Sequence, residues 1–265
     1  MNSRRCDLPI RLSLVLLASL GGRSVGIADS HSPPLSADAI VQKLTAANAQ
    51  RAQALRGYRG KRIYRLEYKG LFGSHNAEIV VEATYSAPDR KDFKILSESG
   101  SHLLINRVLL KLLSSESEAQ EAPNRKALEI TPQNYDFSLD QYEHTTKGDF
   151  YVLNVKPKGK SRYLYRGKIW VDARDFAVVR MDGEPQKNPS VWVSHTEIEY
   201  QWGDKDGFWL PVHNLSVTQV RMGGKAILTI DYSDYQIVMN RAAVQPHSGQ
   251  SQAMPDPAAV TADPH

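Results

Sequence analysis

Cysteine is all but missing from this chain: its 265 residues include one, Cys6, so no intramolecular disulfide can staple the fold. Long apolar runs are equally scarce. The single stretch that stands out, Leu12 to Gly22, is about half of the roughly 20 residues that a membrane-spanning helix needs, so no such helix is expected. Neither sign of charge dominates, with 33 Lys and Arg against 29 Asp and Glu. The 41% hydrophobic content is that of an ordinary globular chain and excludes a collagen, a coiled coil or a disordered acidic tail. The common chemical motifs are lacking too. There is no P-loop, nucleophile elbow or dinucleotide fingerprint, and the eight histidines never approach each other or a cysteine at ligand spacing. Neither a metal nor another cofactor is expected.

The apolar run acquires its meaning from its flanks. Arg4, Arg5 and Arg11 precede it and Gly26-Ile27-Ala28 follows it, the pattern of a cleavable secretory signal over residues 1–28. Cys6 lies before the run rather than just after it, so no lipid anchor is expected. Cleavage after Ala28 leaves 237 residues with 29 Lys and Arg and 28 Asp and Glu, a net charge of +1. The basicity of the full chain thus belongs largely to its leader, and no nucleic-acid footprint is supported. An exported, periplasmic monomer held together by its core alone is the expectation.

After a linker over 29–35, Ala39, Ile40, Leu44 and Ala47 recur at helical spacing behind Ser36, and Asp38 adds negative charge to the first turn. This predicts a helix over 36–55 with Ser36 as its N-cap. Strands are predicted around Ile63–Tyr68, 77–85 and 91–98. A further series follows at 136–144, 149–156, 163–172, 175–184, 191–203, 207–220 and 225–237, separated by turns such as Thr146-Lys147-Gly148-Asp149 and Asp172-Ala173-Arg174-Asp175. Residues 239–265 carry no periodicity and are expected to be disordered. Between the two sets of strands, eight of the eleven residues from Leu103 to Leu113 are Leu, Ile or Val. Apolar surface then covers more than half of this helix, which has to be covered by the concave face of a sheet.

Three polar groupings invite a functional reading. Glu197 and Glu199 share one strand face and could serve as a carboxylate pair, but their neighbours read as a solvated face. Lys156, Lys158, Lys160, Arg162, Arg166 and Lys168, with Tyr163 and Tyr165 between them, could stack on bases, meet anionic lipid headgroups or simply blunt a sheet edge. Asn214-Leu215-Ser216 matches a glycosylation sequon by letters and is read as chance.

The run Tyr163-Leu164-Tyr165-Arg166-Gly167-Lys168-Ile169-Trp170-Val171-Asp172, then Ala177-Val178-Val179-Arg180 and Gly183-Glu184-Pro185, resembles the outer-membrane lipoprotein-sorting protein superfamily, the LolA-like group. Phe208-Trp209-Leu210-Pro211 and Leu228-Thr229-Ile230-Asp231-Tyr232-Ser233 look like that group's closing strands. The resemblance spans roughly residues 36–238. It implies a mainly β (α+β) fold, a half-open antiparallel β-barrel with helices covering its concave apolar face. It also implies a non-enzymatic protein that holds acyl chains of lipids or lipoproteins, or a regulator of the same fold whose partner is a membrane-associated anti-sigma-factor-like protein. The expected cavity lining is Leu104, Val108, Leu112, Ile169, Val171, Val179, Met181, Ile198, Tyr200 and Trp202. The carriers' functional arginine on an early strand could fall on Arg59, Arg62 or Arg65, and the sequence leaves all three open.

Overall fold

The computed structural model describes residues 35–71, 73–120, 126, 129–159, 164–187, 193–221 and 223–240. The segment 1–28 read as a secretory signal, most of the segment read as a linker and residues 241–265 lie outside them. Helix α1 (Ala37–Ala54) starts where its cap predicts: the Ser36 hydroxyl accepts the Ala39 N–H at 3.3 Å. Among the described residues ten strands follow, β1 (Leu55–Gly70), β2 (Gly73–Ser86), β3 (Arg90–Gly100), β4 (Tyr135–Thr145), β5 (Gly148–Pro157), β6 (Tyr165–Asp172), β7 (Val178–Pro185), β8 (Val193–Lys205), β9 (Phe208–Val220) and β10 (Gly224–Met239). Met239, assigned by composition to the tail, is the last residue of β10, and the Asn240 N–H donates to the Ala54 carbonyl.

All ten strands form one antiparallel sheet in the order β3-β2-β1-β10-β9-β8-β7-β6-β5-β4. The sheet is not closed, so β3 and β4 are its free edges and the architecture is the expected half-open barrel. The chain must therefore pass from one edge to the other between residues 100 and 135. It does so through a helical segment made of α2 (His102–Leu104), a π-helical turn (Ile105–Leu109) and α3 (Leu110–Gln120). That segment carries the apolar density noted above, and it packs on the concave face.

Of three apolar clusters among the described residues, two seat the helices and a smaller one gathers Ala54, Phe208 and Leu210. Ile40, Val41 and Leu44 of α1 pack on Tyr135, Leu153, Val155, Ile169, Val171 and Met181 over β4 to β7. Ile105, Leu109 and Leu113 pack on Tyr64, Leu66, Ile79, Val81 and Ile230 over β1, β2 and β10. Burying each such side chain contributes on the order of 1.5–3 kcal/mol, enough to fix both helices on the sheet. The Arg51 guanidinium adds hydrogen bonds to the carbonyls of Asp175 (3.0 Å) and Phe176 (3.0 Å), tying the end of α1 to the β6–β7 turn.

Gly167 and Gly183 face each other across β6 and β7. Gly167 has φ +153°, and a Cβ on it would collide with the Asp182 carbonyl, while one on Gly183 would strike the Arg166 carbonyl. The two backbones approach too closely for any side chain. Gly167→Ala is accordingly expected to cost about 1–3 kcal/mol, a fall in Tm of roughly 3–10 °C in thermal denaturation followed by circular dichroism. An unchanged Tm would remove the close approach as a constraint.

Candidate functional site

Between the two clusters the concave face is not filled. A cavity of about 460 Å³ lies over β10 to β6, with Leu112, Ser115 and Glu116 of α3 on one side and Ile130 and Tyr135 on another. Thirteen of its nineteen lining residues are apolar or aromatic, a composition suited to a hydrocarbon ligand, and its size falls in the range of ligand pockets.

Of the ten residues expected from the sequence, Leu112, Met181, Ile198, Tyr200 and Trp202 line this cavity. Tyr200 stacks on Trp202, ring centroids 5.6 Å apart, and Tyr165 meets Tyr200 edge-on at 6.2 Å. The other five do not reach it. Ile169 and Val171 have the inward register but are wholly buried beneath α1. Val179 sits at a β-bulge: Trp170 pairs with Arg180 but Val171 with Val178, so Val178 takes the place on the core that unbroken alternation gives to Val179. Leu104 packs into the cluster around Tyr64, and Val108, 40% exposed, lies on the outer side of its helix.

Of the polar part of the site, the sequence reading offered Arg62 as one of three candidate arginines and missed Lys91 and Glu116. Arg62 comes inward from β1, its side chain 3% exposed, and its Nη1 lies 2.7 Å from Glu116 Oε2. The Lys91 ammonium from β3 reaches the same oxygen at 3.2 Å, and the Tyr64 hydroxyl donates to Glu116 Oε1 at 3.0 Å. The Arg62 guanidinium also lies over the rings of Tyr232 (4.9 Å) and Phe93 (5.3 Å). Two cations thus share one carboxylate at the cavity wall, and α3 is fastened to β1 and β3 through Glu116. Burial pushes the Glu116 carboxyl up, but Lys91, Arg62 and the Tyr64 hydroxyl outweigh it and hold it below the ordinary value. Burial pushes the Lys91 ammonium down, and Glu116 restores only part of the loss. Burial, and then Glu116, raise the Tyr232 hydroxyl well above its usual range.

The three candidate arginines are now distinguished. Arg59 and Arg65 point to the convex side, where Arg59 meets Glu82 (3.7 Å) and Arg65 meets Glu78 (3.0 Å) and Asp231. Arg62 alone of the three lines the cavity. A signal for this existed, because Arg62 shares the parity of Tyr58, Tyr64 and Leu66 on β1, and Glu116 follows Leu109 and Leu113 on one helical face.

The other polar groupings lie elsewhere. Glu197 and Glu199 line a shallow groove of about 490 Å³ with Arg166, Asp182, Glu184 and His195. Glu197 is 72% exposed and 3.3 Å from His195, and Glu199 is 3.6 Å from Arg180, in keeping with a solvated face. Lys158, Arg166 and Lys168 are paired with Asp136, Glu184 and Asp140 and Lys156 is exposed on β5, so the described part of the basic stretch is mostly an ion-paired surface; Lys160, Arg162 and Tyr163 lie outside the described residues. Asn214 is 2% exposed and belongs to the cavity, which leaves its sequon unavailable to a glycan.

No family model and no curated protein matches the chain. Solved structures do. A domain from Vibrio parahaemolyticus assigned as an outer membrane lipoprotein-sorting protein aligns at 14% identity over 75% of this chain and 93% of its own, with a TM-score of 0.42. A LolA superfamily protein from Nitrosomonas europaea aligns at 13% identity over 77% and 94%, TM-score 0.33. The MucA/MucB complex of Pseudomonas aeruginosa contributes a chain at 10% identity over 76% and 94%, TM-score 0.25. These superpositions are partial, and the half-open barrel rests on this chain's own strand order.

Glu116→Gln keeps the shape of the side chain and removes its charge, stranding two cations. A loss of about 3 kcal/mol is expected, read as a lower urea midpoint. Because the folded-state pKa of Glu116 is depressed, its contribution is complete above the ordinary carboxyl value of 4.5 and is lost as pH falls through the lower folded value. The variant should therefore lose that part of the wild-type acid dependence. Equal midpoints at neutral pH would show that Glu116 does not fasten α3.

Proposed function

We propose that this protein is a non-enzymatic carrier, exported to the periplasm as a soluble monomer, that takes up acyl chains of lipids or lipoproteins in the manner of outer-membrane lipoprotein sorting. The observation that supports this reading most directly is the concave-face cavity of about 460 Å³, walled mainly by apolar and aromatic side chains and bordered by α3. Each methylene transferred from water into such surroundings contributes about 0.8 kcal/mol, so a chain of moderate length binds usefully and is still released. Uptake needs no covalent step. The helix that borders the cavity is held partly by an ion-pair cluster, and charged contacts exchange for water more readily than a packed apolar face does.

A second reading, a regulator with a membrane-associated protein partner, is favoured by a different observation. Leu103 (62% exposed) and Val108 on the helical segment, with Leu96 (50%) and Ile95 on edge strand β3, leave apolar side chains facing solvent. On that reading a stoichiometric protein complex forms and survives when the cavity is filled.

Native mass spectrometry of the purified protein, with displacement of a fluorescent fatty acid, tests the carrier. Bound acyl lipid or saturable uptake of the probe is expected. Ile198→Asp, which places a charge on the cavity floor, should abolish uptake, whereas Val179→Asp at the bulge should retain it. A folded protein that is empty and takes up no probe would overturn the carrier reading and leave the regulator.

A further inference from the structure

One lining residue is unlike the rest. Asn214 lies on β9, where its inward side chain is flanked by Tyr200 of β8 and Ile230 of β10. It is 2% exposed and lines the cavity, yet among the described residues its carboxamide takes part in no hydrogen bond. The other charged or strongly polar lining groups, Arg62, Lys91 and Glu116, are engaged with one another. Its polar atoms are not among those sealed away without a partner, a state found among the described residues at the Thr45 hydroxyl, so the carboxamide opens onto the cavity, where water or a ligand is left to meet it. Ser216, two residues along the same strand, shares its face and the cavity.

From this geometry we infer that Asn214 selects the ligand, favouring acyl chains joined through a carbonyl, an ester or an amide, over chains that lack one. The Asn214 Nδ2 has two hydrogens to donate to the carbonyl oxygen, and its Oδ1 can accept from an amide N–H. A plain hydrocarbon leaves all of them unmet. The position also matters: Asn214 sits between apolar and aromatic neighbours, so the carbonyl it receives lies within the apolar part of the ligand. A neutral polar linkage fits there better than a charged headgroup, which would have to compete with Glu116 for Arg62 and Lys91. This inference rests on the carrier reading and names the linkage that its ligand carries.

The test compares a 1-monoacylglycerol with the 1-alkylglycerol ether of equal chain length, which differs by the carbonyl alone, as competitors for a fluorescent fatty acid on the purified protein. The wild type should bind the ester about fivefold to tenfold more tightly than the ether, the worth of one net hydrogen bond inside a protein. Asn214→Leu should reduce that ratio to below about twofold while the ether binds at least as well as before. Should Asn214→Leu not fold, Asn214→Ala reads the same ratio. Equal affinities of the wild type for ester and ether, or a preference that persists in the folded variant, would overturn the role of Asn214 and leave the carrier intact. A folded wild type that binds neither lipid would overturn the carrier reading itself.

Discussion

The pairing of β1 with β10 is the constraint from which the remainder of the architecture follows. By joining the first strand to the last it places both ends of the domain in the middle of the sheet and consigns β3 and β4, neighbours in the chain, to opposite edges. The connection between them cannot be a hairpin. It runs through a helical segment that buries Ile105, Leu109 and Leu113 against β1, β2 and β10 on the concave face. The cavity is what remains where the crossing helix and α1 leave the middle of the sheet uncovered.

The two helices are fastened by different physics. Helix α1 rests on wholly buried Ile40 and Leu44, with Arg51 closing onto backbone carbonyls. The crossing segment is equally apolar at its start, through Ile105 and Leu109, but ends in a charged cluster around Glu116. Replacing such a cluster with packed aliphatic side chains is often neutral or stabilising, so its retention here is more informative about the cavity than about stability. It keeps one wall polar and fixes which part of α3 faces the cavity, while Tyr64, Tyr232 and Phe93 supply the hydrogen bond and ring faces that make buried charge tolerable.

Most of the fold was legible because hairpin turns announce themselves. Thr146 to Asp149 and Asp172 to Asp175 mark the turns bounding β4 to β7, and Ser36 marks the start of α1 through a cap that the structure contains. The site was legible at Leu112 of the apolar helix and where strand alternation is unbroken, as from Ile198 through Tyr200 to Trp202. It failed at Val179 because a bulge shifts the face by one residue, and a bulge has no signature in an apolar run. It failed for Ile169 and Val171 because inward register does not say which stretch of a concave face a helix seals. Lys91 and Glu116 escaped, and Arg62 stayed one of three candidates, because they become a site only when β1, β3 and α3 converge, although the parity of Arg62 among tyrosines and leucines hinted at it.

The same β1–β10 seam sets the order in which the domain can be completed. Strands β1 to β3 form one local set of hairpins and β4 to β9 another, and each can assemble from near neighbours in the chain. Only β10, the final strand, joins the two sets, through pairs as distant as Leu55 with Met239. Contacts so far apart in the chain form late, because loop closure has to be met before they contribute. Until β10 is present the crossing helix lacks Ile230 and the cavity lacks Leu228 and Tyr232, so a chain shortened from its C-terminal end has no partial version of the site.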